Sequence, residues 1–202
     1  DGILIKSFGA DEFIMPHGLS VDKKDNIWVT DIGAHQVKKF SKNGELLLTL
    51  GNYRISGKDE EHFGMPTDVA FDSQGNVYIS DGYVNSRIIK YTNEGIFLDQ
   101  WGNKGNNPGE FDLPHGVLID KNDNLYVADR SNSRIQIFNS NGDFINEIFG
   151  KEFGRPYGLS ILESKLVVID GGNQPFDTRS RVVIIDLNNN SYIGEFDASL
   201  IS

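Results

Sequence analysis

Two histidines occupy the same place in two similar stretches of the chain. His17 and His115 each stand at the centre of a Pro-His-Gly triplet, at 16–18 and 114–116. Imidazole nitrogens bind Zn²⁺, and a site with three protein ligands and one open position is the usual catalytic form. Zinc held in this way lowers the pKa of a bound hydroxyl or water. The pair therefore raises the hypothesis of a catalytic zinc site, provided that the fold brings both imidazoles together.

Two further side chains could supply acid–base chemistry. Tyr83 follows Asp81 and Gly82, and Arg130 follows Asp129. A phenol has an ordinary pKa of about 10, so it becomes a usable base only when nearby cations lower that value. Zinc and a guanidinium would both act in this direction. By pattern alone the two residues are equally well explained as surface residues, and both interpretations stay open.

The elements that must position these residues are repeats. Four similar segments begin at Phe13, Phe63, Phe111 and Phe153. They recur at intervals of about 40 to 50 residues, which is typical of propeller blades. We place the repeats at 13–51, 63–102, 111–150 and 153–197, within a single region that covers 1–202.

Each repeat predicts four short strands. Short β-rich runs end in polar turns, apolar runs such as Ile-Trp-Val-Thr follow, and a third and a fourth run succeed them. This pattern indicates an all-β propeller of four-stranded blades. Residues 1–9 carry the pattern of the fourth strand at 43–51, which predicts the outer strand of a preceding blade. Since the last repeat has its own fourth strand, we expect the chain to be a slice of a larger, six-bladed ring.

Most of the conspicuous polar residues recur in every repeat, which favours a structural role. The second strand ends in an aspartate in each unit, and arginines recur after Asn85 and Asn132. Trp28, Tyr78 and Tyr126 share one strand position and predict core aromatics. His35 and His62 do not share the position of the triplet histidines, and we interpret both as structural.

The informative residues are those that differ between repeats. The position after the recurring proline, which we call the axial slot, carries His17, Thr67, His115 and Tyr157. The first strand of each blade is innermost, so we expect His17 and His115 to face each other across the central channel. In a six-bladed ring a histidine in unit five would complete a threefold set. The alternative is that each histidine only caps a strand.

Composition narrows the classes of partner. The formal net charge is −10, which disfavours nucleic acid and anionic membrane surfaces. There is no cysteine, so thiolate metal sites and disulfides are excluded. No apolar run approaches the roughly 18 residues of a membrane span, and the start lacks a signal-peptide pattern.

The segments resemble NHL repeats and, more specifically, peptidyl-α-hydroxyglycine α-amidating lyases. The resemblance is carried by PHGLSVD, SDGYVNSRI, PGEFDLPHGV and VADRSNSRIQ. It implies a six-bladed propeller with axial zinc held by three histidines, two of which match His17 and His115; the third is expected beyond Ser202. Tyr83 matches the proposed catalytic base and Arg130 an active-site arginine.

The resemblance also implies a structural calcium in the channel, for which Leu19 matches a backbone-carbonyl ligand. Gly64 and Val84 stand where some members of the family carry a disulfide, so packing must replace that link. The implied reaction converts a peptide with a C-terminal α-hydroxyglycine into a peptide amide and glyoxylate. A covalent or separate monooxygenase partner and a secreted or extracytoplasmic location are expected on the same basis.

Two other functions compete with the lyase interpretation. A non-catalytic NHL propeller would serve as a scaffold that binds a protein partner, and it would need no zinc. A calcium-dependent propeller hydrolase would place clustered carboxylates on the axis, where this sequence has histidines. Metal content separates all three.

Overall fold

The computed structural model describes residues 2–149, 154–172 and 180–197 and confirms the all-β class. Sixteen strands form four antiparallel sheets of four strands each, and in every sheet the strands lie in chain order. The bounds are β1 Pro16–Val21, β2 Ile27–Asp31, β3 Gln36–Phe40, β4 Leu46–Leu50, β5 Asp68–Phe71, β6 Val77–Asp81, β7 Arg87–Tyr91, β8 Phe97–Trp101, β9 Pro114–Ile119, β10 Leu125–Asp129, β11 Arg134–Phe138, β12 Phe144–Phe149, β13 Pro156–Leu162, β14 Lys165–Asp170, β15 Arg181–Asp186 and β16 Ser191–Asp197.

The first hairpin of each of the first three blades is closed by an aspartate at its turn. The Asp22 carboxylate accepts the backbone N–H groups of Lys24 and Asn26, both at 2.9 Å. Asp72 and Asp120 make the equivalent bonds in the next two blades. Such side-chain-to-backbone bonds favour turns over continued strands. The polar turns therefore fix where β2, β6 and β10 begin.

The apolar cores lie between neighbouring blades. One cluster joins the first two blades and contains Trp28, Phe63 and Ile79, and equivalent clusters join the second blade to the third and the third to the fourth. Tyr78 and Tyr126 are buried with Trp28, as their shared strand position predicted. The inner strands β1, β5, β9 and β13 contact one another in succession. This arrangement is a propeller in which equivalent residues of the inner strands converge on one channel.

A buried aspartate at the end of the second strand anchors the entry to each blade. Asp31, Asp81, Asp129 and Asp170 are fully buried, and each accepts backbone N–H groups from the segment that leads into the inner strand. We call this feature the Asp clamp. In the last three blades an arginine pairs with the same carboxylate, and its Nε lies at 2.9, 2.8 and 3.1 Å from it. The Asp clamp holds the backbone just before the axial slot.

Two parts of the predicted repeat pattern have no counterpart among the described strands. Residues 2–9 form no strand, although their pattern predicted one. A strand needs a hydrogen-bonded neighbour, and in the described part of the chain none pairs with this segment. It packs through Phe8 on Phe40 instead, at 5.7 Å between ring centroids. The predicted repeat boundaries at 150 and 153 lie outside the described residues.

Helical structure is minor. The described ranges contain a single turn of 3₁₀ helix at Arg130–Asn132. No helix within them is long and apolar enough to cross a membrane.

Candidate active site

The axial slot brings the two triplet histidines into contact. The ring centroids of His17 and His115 lie 4.9 Å apart at an interplanar angle of 66°. His17 is exposed at the channel, whereas His115 is only 9 % exposed. Equivalent places on β1 and β9 therefore converge as the repeat pattern predicted, and the imidazoles are close enough to share one ion.

Backbone carbonyls fix the tautomer of both imidazoles. Nδ1 of His17 lies 2.8 Å from the carbonyl oxygen of Thr67, and Nδ1 of His115 lies 2.9 Å from that of Tyr157. A carbonyl only accepts hydrogen bonds, so each Nδ1 carries the hydrogen. The Nε2 atom of a neutral ring then keeps its lone pair, as in metal sites where a second partner orients the ligand.

Tyr83 completes the cluster. Its Oη lies 3.2 Å from Nε2 of His17 and 3.3 Å from Nε2 of His115. The turn that carries it passes very close to β9, since a Cβ at Gly82 would stand 1.8 Å from the carbonyl oxygen of Pro114. Only glycine fits there, and the close approach brings the phenol to the two nitrogens.

Counting hydrogens shows that these three groups suit a cation. Two Nε2 lone pairs and one phenol oxygen converge, and the phenol has a single hydrogen to share. One Nε2 lone pair is therefore left without a hydrogen-bond donor unless a further proton or a metal ion enters. Imidazole nitrogen is one of the ligands that bind Zn²⁺ in proteins. The residues present therefore fit the predicted zinc.

Arg130 lies at the same part of the channel. Its guanidinium stands 4.1 Å from the centre of the Tyr157 ring, which in turn contacts the His115 ring at 5.0 Å. Its Nε is buried and has no hydrogen-bond partner among the described residues. Burial, with the nearby charges of His17 and Arg130 acting in the same direction, lowers the pKa of His115 to about 4. His115 is therefore neutral near pH 7, as a metal ligand must be.

A buried hydroxyl network that the sequence reading missed supports the histidines. Ser80 Oγ donates to the carbonyl of His115 at 2.9 Å, and Thr30 Oγ1 donates to the carbonyl of Thr67 at 3.0 Å. The signal for it was present, since the residue before the Asp clamp is Thr30 or Ser80 in the first two blades but Ala128 and Ile169 in the others.

Asp68 is a second residue that the sequence reading missed. It stands one step after the axial slot, where the other repeats have Gly18, Gly116 and Gly158. Its carboxylate accepts the N–H groups of Val69 at 2.8 Å and of Val117, across the blade interface, at 3.0 Å. Burial raises its pKa to about 6.

The two histidines and Asp68 line one cavity on the channel, and Tyr83 and Arg130 are not among its lining residues. Its volume is about 310 Å³, and it is bounded by the axial slot and the inner strands. The lining residues are His17, Gly18, Thr67, Asp68, His115, Tyr157, Gly158 and Ile169.

The remaining predicted residues have separate positions. Leu19 lies on β1 with an exposed side chain, and the described ranges hold no group of three His, Cys, Asp or Glu residues suited to a metal. Calcium needs six to eight oxygen ligands, so the Leu19 carbonyl alone makes no such site and the calcium stays a prediction.

Gly64 and Val84 are adjacent, as the resemblance implied for a disulfide position. The Val84 N–H donates to the Gly64 carbonyl at 3.0 Å, and a Cβ at Gly64 would stand 2.8 Å from that of Val84. His35 and His62 lie away from the cluster. His35 Nδ1 accepts the N–H of Met65, and His62 Nδ1 contacts the Asp59 carboxylate at 2.7 Å.

Comparison with known proteins supports the repeat architecture described above. The NHL repeat family matches residues 13–40, 63–91 and 111–138. Over 179 residues the chain is 42 % identical to a peptidylglycine alpha-amidating monooxygenase of Rattus norvegicus, which covers 83 % of the chain and 18 % of the rat protein. It is 36 % identical over 196 residues to a probable peptidyl-alpha-hydroxyglycine alpha-amidating lyase of Caenorhabditis elegans, covering 91 % of the chain and 55 % of that protein. The chain thus spans about half or less of these relatives.

A solved structure shows the same fold at lower identity. The virginiamycin B lyase of Staphylococcus aureus superposes with a TM-score of 0.66 at 17 % identity, covering 91 % of this chain and 55 % of that one. The match supports the blade architecture alone. With the repeat match and the relatives above, the chain is an NHL-repeat β-propeller that resembles the peptidyl-α-hydroxyglycine α-amidating lyases.

Proposed function

We propose that this chain carries the catalytic core of a lyase that splits peptidyl-α-hydroxyglycine into a peptide amide and glyoxylate. The observation that carries the proposal is the convergence of two Nε2 lone pairs and the Tyr83 hydroxyl on one point of the channel. A scaffold that only binds proteins has no need of oriented imidazoles in its channel.

His17 and His115 are the residues that would hold zinc. When bound there, zinc would polarise the substrate hydroxyl and lower its pKa. The carbonyls of Thr67 and Tyr157 keep both Nε2 atoms free for this task. We further propose that the chain belongs to a six-bladed ring, in which a third histidine outside this sequence completes the ligand set. Calcium near Leu19 remains part of the same proposal.

Tyr83 would take the substrate's proton. In its deprotonated form Tyr83 Oη takes the hydroxyl proton, the electron pair of the O–H bond forms the carbonyl of glyoxylate, and the electron pair of the N–Cα bond moves to the nitrogen. Tyr83 Oη then returns the proton to that nitrogen, which yields the peptide amide. Phenol proton transfer is efficient only where positive charge lowers the phenol pKa.

Arg130 would bind the carboxylate end of the substrate. Its buried Nε lacks a hydrogen-bond partner among the described residues, and its guanidinium lies 4.1 Å from the centre of the Tyr157 ring. A carboxylate there would satisfy the donor with a charge-assisted bond. The group would also stabilise the carboxylate of the departing glyoxylate.

Substrate, partner and location follow from the relatives' names only by analogy. We propose a peptide substrate, a covalent or separate monooxygenase that supplies the hydroxylated glycine, and action on peptides in a secreted or extracytoplasmic compartment. The linkage is suggested by the monooxygenase named among the relatives.

Glyoxylate release from a synthetic peptidyl-α-hydroxyglycine tests the proposal. The protein at its natural length should release glyoxylate, and Tyr83→Phe should lower turnover by about 10²–10⁴-fold, the usual contribution of acid–base catalysis. Tyr53→Phe, a change at an exposed tyrosine, serves as the matched control. Full activity in Tyr83→Phe would reject the base, and no glyoxylate from the natural protein would favour the scaffold interpretation.

A further inference from the structure

We infer that the interface between the third and fourth blades holds a binding site for an alkylammonium group, the chemistry shared by a lysine side chain and a free alkylamine. The site lies beside Asp120 and Tyr126, at the end of β9 away from His115 and about 16 Å along the strand from it. It uses neither the axial slot nor the proposed zinc, so the inference does not depend on the proposed function.

Lysines occupy the equivalent place in the first two blade interfaces. Trp28 of β2 pairs across the sheet with Lys39 of β3, whose Nζ lies 5.1 Å from the centre of the Trp28 ring. Tyr78 of β6 pairs in the same way with Lys90 of β7, at 4.7 Å. Both distances are those of cation–π contacts, so each interface holds an ammonium group on the face of an aromatic ring.

Oxygen atoms of two kinds surround these ammonium groups. The next blade contributes a backbone carbonyl, since Lys39 donates to that of Asn93 at 3.1 Å and Lys90 to that of Ser140 at 2.9 Å. Lys90 Nζ also lies 3.9 Å from the carboxylate of Asp72, which closes the first hairpin of its blade. An aromatic ring, a hairpin carboxylate and a carbonyl of the next blade therefore form a recurring ammonium site.

The third interface keeps these groups but has no lysine among them. Tyr126 pairs across the sheet with Ile137, and no basic side chain of the described residues lies over the Tyr126 ring. Asp120 closes the first hairpin as in the other blades. Leu187 occupies the position of Ser140 in the turn after the third strand, so it can supply the carbonyl. A cation from outside the chain would complete the recurring site.

A cavity at this interface has room for such a ligand. Its volume is about 770 Å³, whereas the matching cavity of the first interface, where a lysine is present, measures about 360 Å³. The lining combines Leu187 and the Tyr126 ring with the carboxylates of Asp120 and Glu163, and its basic residue, Lys121, is exposed. An alkyl stem can pack on the apolar part while the ammonium group meets a carboxylate.

Titration with n-butylammonium chloride tests the inference, because this cation carries the four-carbon stem of lysine. Amide NMR spectra of the protein are recorded with n-butanol as the neutral control and sodium chloride as the ionic control. We expect saturable shifts at Asn122, Asn124 and Leu187 in about the millimolar range, as suits so small a ligand, and none with either control. A wild-type protein without saturable shifts at these residues would overturn the inference.

Variants of the site identify the groups that bind the cation. Asp120→Asn keeps an acceptor for the hairpin but removes the charge, so affinity should fall by about tenfold. Asp99→Asn, at an exposed carboxyl, should leave affinity unchanged. Ile137→Lys supplies the lysine of the other interfaces and should abolish binding, whereas Ile137→Met should retain it. Equal affinity in the wild type and Asp120→Asn would overturn the inference, whether or not Ile137→Lys folds.

Two peptides distinguish the sources of the ammonium group. Gly-Gly-Lys-Gly-Gly is compared with the same peptide carrying norleucine in place of lysine. Tighter binding of the lysine peptide than of n-butylammonium would assign the site to a peptide side chain, and weaker binding would assign it to a free amine. Equal binding of the two peptides would reject the first source. Glyoxylate release should be unchanged in Asp120→Asn, so the failure of either proposal leaves the other standing.

Discussion

The Asp clamp binds backbone N–H groups two or three residues before the axial slot in every blade, yet the clamp and the slot differ in kind. The Asp clamp repeats four times, with a buried carboxylate that accepts backbone N–H groups. The residue type in the axial slot changes from each blade to the next. The four residues are His17, Thr67, His115 and Tyr157. The recurring region supplies the scaffold, and the region that varies is free to carry chemistry.

The two regions also treat buried charge differently. In the last three blades the clamp carboxylate is paired with an arginine, whereas the Asp68 carboxylate, beside the axial slot, has only backbone N–H partners among the described residues. Removing one partner of a buried pair leaves an uncompensated charge, which is costly. The comparison therefore predicts large effects on stability at the clamp and effects on metal and proton binding at the slot.

The largest expected effect follows the loss of a clamp arginine. Arg87→Met leaves the Asp81 carboxylate buried without its guanidinium and also removes bonds to the carbonyls of Lys58 and His62. We expect the free energy of unfolding to fall by about 3–5 kcal/mol, measured by denaturant titration. A loss below about 1 kcal/mol would show that the clamp is not the scaffold's anchor.

A second effect comes from the unpaired carboxyl of Asp68. Its pKa is about 6 in the folded chain and 3.8 for an ordinary aspartate, so the folded state binds the proton more tightly. This contribution to stability is fully present below pH 3.8 and is lost as pH rises through about 6, by about 3 kcal/mol.

Asp68→Asn should remove that dependence on pH. Unfolding of the metal-free chain is followed by denaturant titration at several pH values between these limits. The matched variant Asp99→Asn changes an exposed carboxyl and should leave the slope as it is. Equal slopes in the wild type and Asp68→Asn would contradict the assignment.

A smaller effect should follow the loss of a hydroxyl in the supporting network. Ser80→Ala removes the bond to the His115 carbonyl, and the third blade already has Ala128 in that place. We expect a cost of about 1 kcal/mol in stability and about a tenfold loss of zinc affinity.

Ser80→Thr should rescue zinc affinity, because Thr30 fills the equivalent place in the first blade. Loss of stability with unchanged affinity would mean that the hydroxyl supports only the fold. Calorimetric titration of the three proteins distinguishes these outcomes.

The smallest effect is expected where the first blade lacks the clamp arginine. Gln36 occupies that place and donates to the Gly51 carbonyl at 3.1 Å. Gln36→Met removes a neutral bond and should cost about 0.5–1.5 kcal/mol, measured under the conditions used for Arg87→Met. Equal losses in the two variants would remove the distinction between charged and neutral clamps.

Features that repeat could be predicted from the sequence, because several copies of each signal support one another. Strand order, the buried aromatics and the meeting of His17 with His115 all follow from recurring positions. The strand expected at 1–9 stays a prediction, because its pairing partner would belong to a preceding blade that the described residues do not contain.

Features formed between blades could not be predicted in the same way. The bond from Val117 to Asp68 and the contact of Tyr83 with both imidazoles depend on distances across blade interfaces. The sequence shows Asp68 where the other repeats have glycine, and Ser80 where the third repeat has alanine. It does not show which atoms these two side chains contact. A position that departs from its repeat marks a site without stating what it binds.

The close approach at Gly82 makes the site vulnerable to a very small change. With 1.8 Å between a Cβ and the Pro114 oxygen, a single methyl group would force the turn away from β9. The Tyr83 phenol would move away from the two imidazoles with the turn, although the sequence would still contain every residue of the site. Such a chain would keep its blades and its histidines, but its site would be inactive. The presence of the ligand residues in a sequence therefore does not by itself distinguish an active relative from an inactive one.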